Sequence, residues 1–78
     1  MADAKHEHDV TIEINGKHYE VRPGPTPVSE LKRIGGVPAA DQLEQIIHGK
    51  LEPLADDGSV DVKAGDKFVS HTRTGSSG

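Results

Sequence analysis

The sequence predicts an α+β domain, a mixed sheet of four to five strands with one short helix packed across it. Three observations lead there. Two runs of strict apolar and polar alternation flank an Asn-Gly pair. A short apolar stripe at helical spacing follows, opened by proline and closed by a glycine pair. After it come further short extended runs, each bounded by turn residues.

Residues 1–8, MADAKHEH, are polar and lack periodicity, so they read as a disordered arm. His6 and His8 stand two apart, but no third ligand has a fixed spacing to them, so no metal site is expected. In Asp9 to Ile14, Val10, Ile12 and Ile14 face one way and Asp9, Thr11 and Glu13 the other, as in a half-buried strand. Asn15-Gly16 suits a type I′ turn, because both residues tolerate positive φ. The return strand carries Tyr19 and Val21 on one face.

Pro23-Gly24-Pro25-Thr26-Pro27 has three residues without a donor N–H and is expected to leave the sheet. Thr26 is the expected N-cap and Pro27 the first helical residue. The helix should run from about residue 27 to 34, with Val28, Leu31 and Ile34 as its apolar stripe, Glu30 early, Lys32-Arg33 late and Gly35-Gly36 as the stop. Residues 39–47 have helical propensity, yet they also fit a strand in which Leu43, Gln45 and Ile47 share a face. His48-Gly49-Lys50 reads as a turn, Leu51 to Leu54 as an edge piece marked by Pro53, and Ala55-Asp56-Asp57-Gly58 as another turn. Val60 and Val62 alternate in a short strand, and a last strand begins at Lys67 and ends near Thr72. The expected core is Val10, Ile12, Ile14, Val21, Val28, Leu31, Ile34, Val37, Leu43, Ile47, Leu54, Val62 and Phe68. The expected organisation is an arm over 1–8, one domain over 9–72 and a small flexible tail over 73–78.

Composition narrows the function. With no cysteine, the chain has no thiol nucleophile, disulfide framework or thiolate metal site. A net charge of −4 without a basic stripe argues against nucleic acid, and Tyr19 and Phe68 are the only aromatics available for stacking. No apolar run is long enough to span a membrane, and the expected location is the cytoplasm. The acids of Glu52, Asp56, Asp57, Asp61 and Asp66 have no histidine or base at fixed spacing, so they read as solvated turn residues. Gly35-Gly36 follows a helix and lacks the Lys-Ser/Thr of a phosphate loop. No enzyme and no cofactor are expected.

The run Gly36-Val37-Pro38, then Asp41-Gln42, then Ile46-Ile47-His48-Gly49-Lys50-Leu51-Glu52 resembles the ubiquitin-like β-grasp proteins. There a Gly-Ile-Pro follows the helix, Asp-Gln-Gln leads into strand three, and Ala-Gly-Lys makes the next turn. Asp57-Gly58-Ser59-Val60, Val62-Lys63 and Phe68-Val69 extend the likeness over residues 10 to 78. Ile14-Asn15-Gly16-Lys17 and Phe68-Val69-Ser70-His71 look closest to bacterial multiubiquitin and related modifiers. The resemblance implies a strand over about residues 43–47.

It also implies a protein modifier. In such proteins an activating enzyme adenylates the C-terminal glycine carboxylate, and the glycine passes as a thioester to a lysine or another nucleophile. The reacting residue would be Gly78, or Gly75 after trimming. A third reading is that Gly-Ser-Ser-Gly is not native. Family modifiers end in Gly-Gly, so Ser77 is a departure. Arg73 falls where the family places basic residues that guide the activating enzyme. Ile46 matches the centre of a protein-binding patch, with His48 and His71 beside it, and its ordinary alternative is the core. Lys50 matches a chain-building lysine, and its ordinary alternative is a solvated turn residue. The implied partners are an activating enzyme, a conjugating enzyme, a JAB-type peptidase and target proteins, with the chain itself a monomer. Two other functions fit the same body: a β-grasp sulfur carrier of thiamine or molybdopterin synthesis, and a non-conjugated binding domain.

Overall fold

The computed structural model describes residues 9–73. Strand β1 (Val10–Ile14) and β2 (Lys17–Val21) form the first hairpin, with Ile12 opposite Tyr19 and Val10 opposite Val21. Asn15 and Gly16 both adopt positive φ, 54° and 83°, as a type I′ turn demands. Strand β3 (Gly24–Pro27) leads into helix α1 (Val28–Gly35). Strands β4 (Gln42–Ile47), β5 (Lys50–Pro53), β6 (Ser59–Val62) and β7 (Lys67–His71) follow. The five-stranded sheet runs β2-β1-β7-β4-β5, and β3 and β6 form a second, two-stranded sheet. Only β1 and β7 are parallel, so the main sheet is mixed. One short helix lies across it, in a β-grasp-like α+β fold.

Alternation sets the faces. Ile12 and Ile14 of β1, Leu43 of β4 and Phe68 of β7 point to the helix and are buried. Val28, Leu31, Val37, Val60 and Val62 complete the core from the other side. The partly buried Val10, Tyr19, Val21, Ile34 and Leu54 pack around it. Within the 39–47 segment, residues 42–47 settle as strand β4 despite their helical composition, and residues 39–41 form the turn that leads into it. Strand β4 gains a ladder on each side, with β7 and with β5, and an isolated helix that short has no comparable gain.

Five expectations are corrected. The proline-rich segment does pair, with Gly24 opposite Val62 and Thr26 opposite Val60. The amide of Val28 donates to Gly58 O at 3.0 Å, in the same register. The hydrogen-bonded positions are therefore 24, 26 and 28. Pro25 and Pro27 fall between them, where a ladder needs no N–H. Thr26 is accordingly a strand residue whose hydroxyl donates to Gly24 O, and Pro27, in an extended conformation, is the N-cap without a side-chain bond.

The buried side of α1 is Val28, Leu31 and Lys32, with Ile34 only partly covered. The stripe follows the i, i+3, i+4 rule in place of a strict three-residue repeat. Ile47 is 40% exposed. A helix of eight residues is only about 12 Å long, and Ile47, beside the β4-β5 turn, lies beyond what it covers.

The helix ends as expected. Gly36 has φ 70°, its amide donates to Arg33 O, and Val37 N donates to Lys32 O at 2.7 Å, a Schellman closure. Gly35 has a separate reason to be glycine: a Cβ there would lie 2.7 Å from Cγ2 of the buried Ile14. Its absence lets the helix end approach β1. Strand β5 is an edge, as Pro53 foretells. Leu54 N donates to Leu43 O, so even positions face β4 and the missing N–H of Pro53 falls on the solvent side.

Candidate functional site

The end of β7 and the loop from 54 to 58 meet at one side of the helix. The loop is anchored at both ends: Leu54 N donates to Leu43 O, and Gly58 O accepts from Val28 N. A turn closed by Gly58 N and Ala55 O holds Asp56 over the side of α1. Lys32 is there, 4% exposed, with Nζ donating to Ala39 O at 2.8 Å and to Asp56 Oδ1 at 3.0 Å.

Arg73 reaches the same carboxylate from the other side. Its Nη1 donates to Asp56 Oδ2 at 3.0 Å and its Nη2 to Asp56 Oδ1 at 2.9 Å, a two-toothed pair. The same Nη2 donates to Gln42 Oε1 at 2.9 Å. The Gln42 amide nitrogen donates to the Leu43 and Leu54 carbonyls, so the side chain that receives Arg73 is itself fixed. Residue 73 is thus tied to β4, to the 54–58 loop and, through Asp56, to the helix. Beside this cluster is a cleft of about 350 Å³ lined by Ser29, Lys32, Arg33, Val37, Ala39 and Asp56.

The hydrogen bond from Arg73, and then that from Lys32, lowers the Asp56 pKa from its usual 3.8 to about 2. Asp56 in turn raises the pKa of Arg73. The sign for stability follows. A carboxylate whose folded pKa is depressed contributes stability that is fully present above its unfolded value and is lost as pH falls through the folded one. The stability difference between wild type and Asp56→Asn should therefore hold from neutral pH down to about 4 and shrink towards pH 2, as read by thermal melts across that range. A difference that stayed constant would rule out the pairing.

On the outer face of the sheet, away from the helix, Ile46 stands opposite Leu51 on β5 and Lys67 on β7. Leu51 is 55% exposed. Val69 and Pro53 flank Glu44 on the same face. The Glu44 side chain is largely covered and meets His71 Nε2 at 3.3 Å. Ile46 is half-buried on this face and is not part of the core.

His71 pairs with Gln42 at one end of β4, while His48 sits in the turn at the other end, with φ 52°. Six residues of strand separate them by roughly 20 Å, so Ile46, His48 and His71 do not form one cluster. Lys50 is exposed beside the turn, opposite Ile47. Gly75, Gly78, His6 and His8 lie outside the described residues. Among the described residues, no three acidic or histidine side chains are placed to hold a metal.

Sequence reasoning missed Lys32, Asp56, Gln42 and Asn15. Position 32 lies four residues after Val28, on the buried face, and a lysine there needs a carboxylate. That was the available signal. Asn15 does more than turn the chain: its Nδ2 donates to Ser70 Oγ at 2.8 Å and its Oδ1 accepts from Ser70 N at 2.9 Å. This extends the contact of β1 with β7 past the last ladder pair, Ile14 with Phe68. No family model, curated protein or solved structure matches the chain.

Proposed function

We propose that the chain is a ubiquitin-like protein modifier, a carrier with no catalytic residues of its own. Its Gly78 carboxylate, or that of Gly75 after trimming, attacks the α-phosphate of ATP on an activating enzyme. Pyrophosphate leaves, an enzyme thiol displaces AMP, and a target amine displaces the thiol. A conjugating enzyme and a JAB-type peptidase would serve the later transfer and the removal. One observation carries the reading. Strand β7 occupies the middle of a β-grasp-like sheet, and Arg73, two residues beyond its end, is held by fixed side chains at a defined point of the surface. A body built this way delivers a C-terminal segment from a constant place. Ile46, Leu51 and Val69 then offer an apolar surface to the enzymes and receptors of such a system, and Lys50 a reachable amine.

The outer-face patch also favours a second reading, a binding domain that is never conjugated. Here Ile46 and Leu51 carry the function and the C-terminal residues are inert. The sulfur carrier differs only in the fate of the adenylate, which sulfide converts to a thiocarboxylate.

An N-terminally tagged chain, incubated with ATP in extract of its source cells and resolved under reducing and denaturing conditions, separates these. Higher-mass adducts that need ATP and vanish on deletion of Gly78 support the modifier. Survival on deletion of residues 76–78 moves the reacting glycine to Gly75. A mass gain equal to replacing oxygen by sulfur identifies the carrier. No adduct and no mass change would overturn both and leave the binding domain.

A further inference from the structure

We infer that Asp56 is a releasable catch for Arg73, which holds the start of the C-terminal segment against the body until a partner takes the guanidinium away. The catch is asymmetric. One carboxylate serves two cations, and they differ in freedom. Lys32 is buried to 4% exposure and tied to Ala39 O as well, so it stays. Arg73 has a side chain 41% exposed and Asp56 one 50% exposed, so their contact lies at the surface, open to competition. When Arg73 departs, Asp56 keeps Lys32 as its counter-charge, and no buried charge is left unpaired. Release therefore breaks three surface hydrogen bonds, two to Asp56 and one to Gln42, and disturbs nothing in the core. A contact that is specific in geometry yet leaves a satisfied remainder is suited to opening and closing.

This fixes the chemistry of what opens it. An incoming group must accept two parallel N–H bonds from a planar guanidinium, which is the geometry of a carboxylate. On the modifier reading, on which this part rests, the activating enzyme presents an acidic side chain that replaces Asp56 as the partner of the departing guanidinium. Asp56 is then a positioning residue that competes with that enzyme for Arg73.

Trypsin tests the catch without any partner, because its specificity pocket must seize the same guanidinium. Cleavage of the Arg73–Thr74 bond is followed by mass and expressed relative to a synthetic peptide of residues 68–78. Wild type should be protected, and both Asp56→Asn and Arg73→Lys should raise the normalised rate roughly tenfold, the size expected for loss of a local closing equilibrium. Cleavage after Lys63 and Lys67 monitors wider opening. If Asp56→Asn accelerates those sites as well, Arg73→Lys decides, since it leaves the Lys32–Asp56 pair intact. Wild-type protection in Arg73→Lys would overturn the catch. With the cognate activating enzyme, Asp56→Asn should lower the KM for the chain and leave kcat unchanged. If the trypsin result stands and no adenylation occurs, the modifier reading fails and the catch remains.

Discussion

Phe68→Ala is expected to unfold the chain at physiological temperature. Phe68 is the largest fully buried side chain, 1% exposed, and sits in β7 between its neighbours β1 and β4. It lies in register with Ile14 on one side and Gln45 on the other, and it closes the core beneath the helix. Truncating a buried phenylalanine costs about 3–5 kcal/mol. A domain of this size has a total stability of about 4–12 kcal/mol, so the loss is a large part of the whole. Urea titration followed by circular dichroism should show no folded baseline, or a midpoint moved far towards zero. Phe68→Leu, which keeps most of the volume, should remain folded. A wild-type midpoint for Phe68→Ala would mean that β7 is not central to the core.

Lys32→Ala is the second large effect, and its origin can be separated from charge. The lysine stem is buried among α1, the 54–58 loop and the segment around Ala39, and Nζ satisfies the Ala39 carbonyl. Alanine leaves a cavity and removes that donor, at a combined cost of about 2–4 kcal/mol. Asp56 is half exposed and keeps Arg73, so no isolated buried carboxylate adds to the cost. Lys32→Met restores the stem without the charge and should recover about half of the loss. Equal urea midpoints for the two variants would show that charge, and not packing, governs this site.

The two substitutions mark how unevenly the molecule was legible. Phe68 was readable as core because it opens a run of strand-forming residues after a turn. The Asn15-Gly16 hairpin was readable in full, since turn chemistry and alternation are local. Lys32 has the sequence position of a favourable charge near a helix end, and its burial is not legible there because nothing within the helix supplies its partner. That partner is 24 residues away, in a turn whose acids have the local pattern of solvated residues. Gln42 and Arg73, 31 residues apart, are joined by the same kind of contact. The resemblance to a conjugating family implies a recognition role for Arg73, and the structure adds a bidentate pair with Asp56. The local pattern around Ile46 fits both core and surface, and the β4 registers with β5 and β7 put it on the outer face.

Local residue patterns are enough for the α+β class, the first hairpin, the glycine stop of the helix and the edge character of Pro53. Each rests on φ preference, on a missing N–H or on period-two alternation, which act over a few residues. Long-range packing settles the rest. It made residues 42–47 a strand through two ladders that outweigh helical propensity. It admitted the prolines of β3 by placing them where the ladder needs no donor. It joined Lys32, Asp56, Gln42 and Arg73 into one cluster at the end of β7. Those outcomes depend on groups brought together from distant parts of the chain, and their energies arise only when burial removes the alternative of bonding to water.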